Sequence, residues 1–172
     1  MVCDVSTGFL DVLATRLPGP VESGALIPKL IDSADPHALE SACEERDWVG
    51  LVDAVFAMDV FVHLDFNLVV GYMLSATKVL KPGGKLIFTF AEGTTEGSFA
   101  KMISEVDETI RHDAHPSTLS FRWVTVDLVR QTALRLGYEA ELCDIDPHHR
   151  RDGRLVARLS DMERAKTIRR LR

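Results

Sequence analysis

From Leu51 to Val62 the chain is near-continuous apolar sequence broken only by Asp53 and Asp59, which is the pattern of a strand covered on both faces. Phe66, Val69, Val70, Met73, Ala76, Thr77 and Leu80 then recur at three-to-four spacing and predict a helix that ends before Pro82-Gly83-Gly84. Lys85 to Phe90, with Leu86, Ile87, Phe88 and Phe90, predicts the next strand. Strand, helix and strand with short links form a crossover unit, which places its two strands parallel and gives the connection a right hand.

The flanking segments repeat this alternation. Met1 to Val5 reads as a short strand ending at Asp4, followed by Ser6 as N-cap of a helix carrying Phe9, Leu10, Leu13 and Leu17 and stopped by Pro18-Gly19-Pro20. Ala25 to Ile31 is a short apolar run, after which Asp35 is placed to cap a helix with Pro36 at its first position and Leu39, Ala42 and Cys43 on later turns. Beyond the Gly- and Thr-rich stretch at 93–97, Ser98 is placed to cap a helix bearing Phe99, Met102, Ile103, Val106 and Ile110. A polar link covers Arg111 to Ser120. Thr125 caps a helix with Val126, Val129, Ala133 and Leu134 inward, and Gly137 ends it where a left-handed residue is wanted. Tyr138 to Ile145 alternates as a strand does, and Leu155 to Leu159 is the last strand, reached by a hairpin-like link from Pro147 to Gly153. About six strands alternating with helices predict a doubly wound α/β sheet.

The 172 residues are 46% hydrophobic and 27% charged, which fits one globular domain and excludes disordered and collagen-like chains. Charge refines the picture. Of 20 Lys+Arg and 26 Asp+Glu, nine basic and three acidic residues fall between Arg150 and Arg172, so an acidic body at 1–160 carries a basic tail at 161–172 and its approach. An acidic body disfavours nucleic acid as a partner and favours small-molecule chemistry. The tail has no interleaved aromatic residue for base stacking. No apolar run approaches the ~20 residues of a bilayer span, and no basic-then-apolar leader opens the chain. Cys3, Cys43 and Cys143 are widely spaced and odd in number, the usage of reduced thiols in a cytoplasmic protein.

In an open α/β sheet ligands bind beyond the carboxyl ends of the strands, so acids placed there come first. Asp4, Asp32 or Asp35, Asp59 and Glu92 each follow a predicted strand. A carboxylate on a fixed strand end can accept both hydroxyls of a ribose. Asp35, with Pro36 behind it, serves equally as a helix cap. His112-Asp113-Ala114-His115 and His148-His149 bring imidazoles together without a third and fourth ligand, which is the pattern of polar loops rather than of a zinc site.

The stretch Val52-Asp53-Ala54-Val55-Phe56-Ala57-Met58-Asp59-Val60-Phe61-Val62-His63-Leu64-Asp65, followed by a helix and then Val79-Leu80-Lys81-Pro82-Gly83-Gly84-Lys85-Leu86, resembles the fourth strand through fifth strand of class I S-adenosylmethionine-dependent methyltransferases. The Leu-Lys-Pro-Gly-Gly turn is the most specific piece. The resemblance continues through Phe121-Arg122-Trp123, the Thr125 helix and Gly137-Tyr138-Glu139, and covers most of residues 1–160. It implies a mostly parallel Rossmann-like sheet with a C-terminal antiparallel strand, the cofactor S-adenosyl-L-methionine, and methyl transfer to the O, N or C of a small-molecule acceptor. Carried over residue by residue, it implies that Asp4, with Val5 beside it, meets the cofactor ribose, that Asp35 flanks the adenine, and that Ala57, Met58 and Asp59 lie beside the methionine part. His63 is the nearest candidate base for the acceptor's proton, although a His amid Phe61, Val62 and Leu64 equally suits a structural place. The segment from Glu92 to Ser120 is the candidate acceptor lid.

One departure from the pattern is large. Such proteins carry a first strand and a Gly-rich loop before the acid-ending strand, whereas Met1 stands three residues before Asp4 and Gly83-Gly84 belongs to a different connection. The expectation is either an N-terminally incomplete chain or a domain that has lost its donor-binding loop and serves as a non-catalytic binding or assembly module. Two strands would then lack a ladder partner, an edge that favours self-association. A nicotinamide-dependent reductase would also suit Asp4, but the chain lacks its G-x-G-x-x-G opening, and Tyr72 is followed four residues on by Ala76 instead of the Lys of a Tyr-x-x-x-Lys pair.

Overall fold

The computed structural model describes residues 1–32, 34–111, 121–145 and 152–170. The first crossover runs from β1 (Val2–Asp4) through α1 (Thr7–Arg16) and the short α2 (Pro18–Glu22) to β2 (Pro28–Leu30), which pairs parallel to β1. Ser6 caps α1 by accepting the Phe9 amide at 3.2 Å, as the spacing of Ser and the apolar residues predicts. The helix α3 (Ala38–Glu44) starts two residues beyond Pro36. Asp35 acts just ahead of it, where its Oδ1 accepts the His37 amide at 2.8 Å.

The second crossover comprises β3 (Val52–Ala57), a 3-10 turn (Phe61–His63), α4 (Phe66–Val79) and β4 (Leu80–Glu92), with β3 and β4 parallel. Beyond it lie α5 (Glu96–Arg111), the two-residue β5 (Trp123–Val124), α6 (Val126–Arg135), β6 (Tyr138–Ile145), β7 (Asp152–Leu159) and α7 (Met162–Arg169). Thr125 caps α6 through the Leu128 amide, and Gly137 turns the chain at φ 91°. The α5 cap is Thr95 and not Ser98: Thr95 Oγ1 accepts the Ser98 amide, while Ser98, one turn into the helix, donates its hydroxyl to the Glu92 carbonyl. The histidine pairs at 112–115 and 148–149, and most of the 147–153 link, fall outside the described residues.

Two features correct the expectation of a mostly parallel sheet. The strands form a two-stranded sheet, β1-β2, and a five-stranded mixed sheet, β3-β4-β7-β6 with β5 also on β4. One reversed strand suffices to make the larger sheet mixed. Because β7 inserts between β4 and β6, it turns two ladders antiparallel at once. The sheets are separate because no described strand joins β1 to β3.

The core centres on β4 and β7. Phe88, Leu155, Ala157, Met73, Ala76, Val129 and Ala133 are fully buried there, and Tyr138 donates its hydroxyl to the Met73 carbonyl at 2.9 Å. The segment set apart by its charge enters this core, since α7 buries Ala165 completely and keeps Arg164 and Lys166 outward. The apolar positions Phe99, Ile103 and Val106 of α5 are exposed, contrary to the inward face that their spacing predicts. Among the described residues no helix is long and apolar enough to cross a membrane.

Candidate functional site

The carboxyl ends of β1, β2 and β3 open on one cleft of about 610 Å3, lined by Asp4 and Val5, by Ile31, and by Ala57 and Asp59. Much of its lining is apolar: Leu39 from α3, Tyr72 from α4 and Leu86 from β4, with Phe61 of the 3-10 turn and Leu64 just after it. Of the residues singled out in the sequence, the fold brings together Asp4, Val5, Ala57, Asp59 and His63. Met58 and Asp35 do not line it. Met58 is exposed, and Asp35 is engaged at the start of α3.

Asp4 is held by its own chain, since its Oδ1 accepts the Ser6 amide at 2.8 Å. A carboxylate has about four acceptor positions, so that bond leaves capacity for hydroxyls of a ligand. Asp59 adopts the left-handed region at φ 56°, which Asp tolerates better than most residues, and its amide is fixed by donation to Thr89 Oγ1 at 2.8 Å. That kink lies between the end of β3 and the 3-10 turn, and Asp59, Val60 and Phe61 of this segment line the cleft.

Tyr72 stands between the cleft and the β2–α3 connection, donating to the Asp32 carbonyl at 3.3 Å. Burial, reinforced by Asp35, Asp32 and Cys3, pushes its hydroxyl up to about 12, so it remains a neutral donor. Burial also pushes the Cys3 thiol up, against the opposing pull of the N-terminal amine and Lys29, which keeps it a poor nucleophile.

His63 also lines the cleft, its ring centroid 5.3 Å from that of Phe121, which stacks on Trp123 at 5.3 Å. Arg122, between those aromatics in sequence, lines the cleft, donates its amide to the Val62 carbonyl at 2.8 Å and places its Nε 3.2 Å from Asp65. Sequence reading took Phe121-Arg122-Trp123 only as part of a pattern. Only the fold shows that it packs against His63. Glu92 belongs elsewhere: its buried carboxylate accepts the Thr94 amide and hydroxyl and the Val126 amide, joining the end of β4 to the start of α6. Among the described residues no group of His, Cys, Asp and Glu has the arrangement of a metal site.

No protein-family model matches the sequence, and no curated protein is similar to it. Solved structures are similar in fold. Magnesium protoporphyrin IX methyltransferase (ChlM) from Synechocystis PCC 6803, solved with bound SAH, superposes with a TM-score of 0.60 at 16% identity over 92% of this chain and 63% of that one. The S-adenosylmethionine-dependent methyltransferase SibL gives a TM-score of 0.60 at 13% identity over 92% of this chain and 42% of its own. An O-methyltransferase family protein from Burkholderia thailandensis gives 0.57 at 14% identity over 88% and 41%. The chain thus has the fold of class I S-adenosylmethionine-dependent methyltransferases, and it spans less than two thirds of the length of each of these three proteins.

Proposed function

We propose that the cleft binds S-adenosyl-L-methionine and that the protein transfers its methyl group to a small-molecule acceptor. The observation that carries this reading is the convergence of Asp4, Ile31, Ala57 and Asp59 on one cleft at the carboxyl ends of three strands. The residues fit the nucleoside half of such a cofactor: the Asp4 carboxylate, fixed by Ser6, suits the ribose hydroxyls, and Val5, Ile31 and Leu39 offer an apolar bed for a base. Asp4 and Asp59 also place negative charge where a cationic sulfonium is to be held. When bound, the cofactor would supply an electrophilic methyl group. This chain's residues would align the acceptor and exclude water, with His63 at the mouth as the group to take the acceptor's proton.

Calorimetric titration with S-adenosylmethionine, and separately with its demethylated product, tests the reading. Micromolar affinity that is lost in Asp4→Ala supports it; absence of binding by folded protein overturns it. A second reading, a non-catalytic assembly module, is favoured by the gap between the two sheets, because no described residue beside Asp4 supplies a backbone cradle for the amino-acid end of the donor. That same absence of binding favours this second reading.

A further inference from the structure

Among the described residues that line the cleft, Arg122 is the one Lys or Arg, whereas Asp4 and Asp59 supply carboxylates. Its backbone is pinned to the segment that carries His63. The Arg122 amide donates to the Val62 carbonyl at 2.8 Å, and the ring of the neighbouring Phe121 packs 5.3 Å from that of His63. The guanidinium is less fully engaged. Asp65 Oδ1 comes within 3.2 Å of its Nε without making a hydrogen bond, so that nitrogen is buried and has no acceptor. Asp65 is the ion-pair partner of Arg122 among the described residues, and its side chain is 69% exposed, so water screens the pair. A buried donor left without an acceptor calls for an explanation in a native fold, and an anion that completes the set is one.

We propose that Arg122 anchors a carboxylate of the methyl acceptor, so that the acceptor is a small, otherwise apolar carboxylic acid. This rests on the methyl-transfer reading and names the substrate class for it. The carboxylate is the anchor, and the methylated atom is the one beside His63. A guanidinium presents its donors as a planar fork that a carboxylate matches with two oxygens, which a lone ammonium does not. Arg122 is tied through Val62 and Phe121 to the turn that holds His63, so the two groups serve one molecule. The residues assigned to the donor, Asp4, Val5, Ile31 and Leu39, come instead from β1, β2, α3 and their ends. Charge points the same way. A guanidinium lining a cleft for a cationic sulfonium repels it unless an anion lies there too, and an acceptor carboxylate supplies that anion. Val60, Phe61 and Leu64 line the cleft on either side of His63 in sequence, which suits an apolar body behind the carboxylate.

The probe is benzoate, with benzamide as its neutral counterpart, titrated by NMR into protein saturated with the demethylated product of the donor. Benzoate is expected to bind about tenfold or more tightly than benzamide. Arg122→Gln is expected to weaken benzoate about 10- to 100-fold while leaving the affinity for the demethylated product within about twofold. Arg122→Lys, which keeps the charge and loses the fork, is expected to fall between. Asp65→Asn separates an anchor from a structural prop. Asp65 makes no side-chain bond to cap α4, so its neutralisation is expected to release the guanidinium and tighten benzoate. A guanidinium that only braces the fold against Asp65 would make Asp65→Asn as harmful as Arg122→Gln. Arg122→Lys and Asp65→Asn decide the matter even where Arg122→Gln does not fold. Equal binding of benzoate and benzamide, unchanged benzoate binding in the Arg122 variants, or weaker binding in Asp65→Asn overturns the proposal. So does a loss of product affinity in Arg122→Gln that methylthioadenosine, lacking the amino-acid end, does not share, since Arg122 would then hold the donor's own carboxylate. Those outcomes leave the methyl-transfer reading standing, whereas failure of the wild-type protein to bind the demethylated product overturns that reading and the proposal with it.

Discussion

Gly153 stands opposite Phe90 in the β4–β7 ladder, and a Cβ built on it would lie 2.2 Å from Cε2 and Cζ of the Phe90 ring. Comfortable carbon contacts are about 3.5–4.0 Å, so Gly153→Ala forces the ring or the strand to move. The ring has little room: Phe90 is buried and set edge-on to Phe88 at 6.2 Å, and Phe88 is fully buried against Phe61 at 5.0 Å. Replacing a strand glycine by alanine ordinarily gains about 0.5–1 kcal/mol, whereas overpacking a dense core costs about 1–3 kcal/mol. The balance is a net loss of about 1–2 kcal/mol. For a chain of 172 residues each kcal/mol corresponds to about 2–4 °C, so thermal unfolding by calorimetry is expected to fall by roughly 2–8 °C. The cause is isolated by repeating the substitution in Phe90→Leu, where a shorter side chain leaves room for the methyl group. There the loss is expected to shrink to near zero, a coupling of about 1–2 kcal/mol. An unchanged or higher midpoint for Gly153→Ala alone, or the same loss in both backgrounds, would refute the reasoning.

Two further expectations concern the fold around the cleft. Gly137→Ala meets both a positive φ of 91° and the Asp161 carbonyl oxygen, 2.4 Å from its Cβ, and is expected to lower the unfolding midpoint more than Gly83→Ala, whose φ of 79° faces open space. Equal losses in thermal scans would show that the Asp161 contact is irrelevant. Glu40 is nearly buried on α3; burial alone would raise its carboxyl, but hydrogen bonds and charge from Lys78 and His37 outweigh that and hold it below the ordinary 4.5. A carboxylate lowered in the folded state stabilises above its unfolded value and loses that contribution as pH falls through the lowered one. Glu40→Gln is therefore expected to be less stable than wild type at neutral pH, with the gap closing below about pH 4.5; a gap independent of pH in denaturant titrations would exclude the ion pair as its source.

Much of the fold was legible because its signals are local. Ser6 and Thr125 cap the helices that follow them, and Gly137 turns where a left-handed residue is needed, since a cap or turn is decided by a few neighbouring residues. Where two hydroxyls competed, the pattern was ambiguous: Ser98 looks like a cap, but Thr95 takes that place because Ser98 reaches back to Glu92. The candidate site was legible in part. Asp4 and Asp59 are found from the rule that ligands meet strand ends. Tyr72 and Arg122 carry no such signal, being polar tips on segments whose spacing describes only packing.

The sequence by itself determined the order of strands and helices, the parallel crossovers and the placing of acids at strand ends, because periodicity and short connections act within a few turns of chain. Only the tertiary structure decided which edges meet. It set β7 between β4 and β6 and so made the sheet mixed, drew the last helix into the core through Ala165, and left β1 and β3 facing each other across an open cleft. Strand composition records how many faces of a strand are to be covered. What covers them depends on contacts distant in sequence, and within the described residues no residue of β3 is buried.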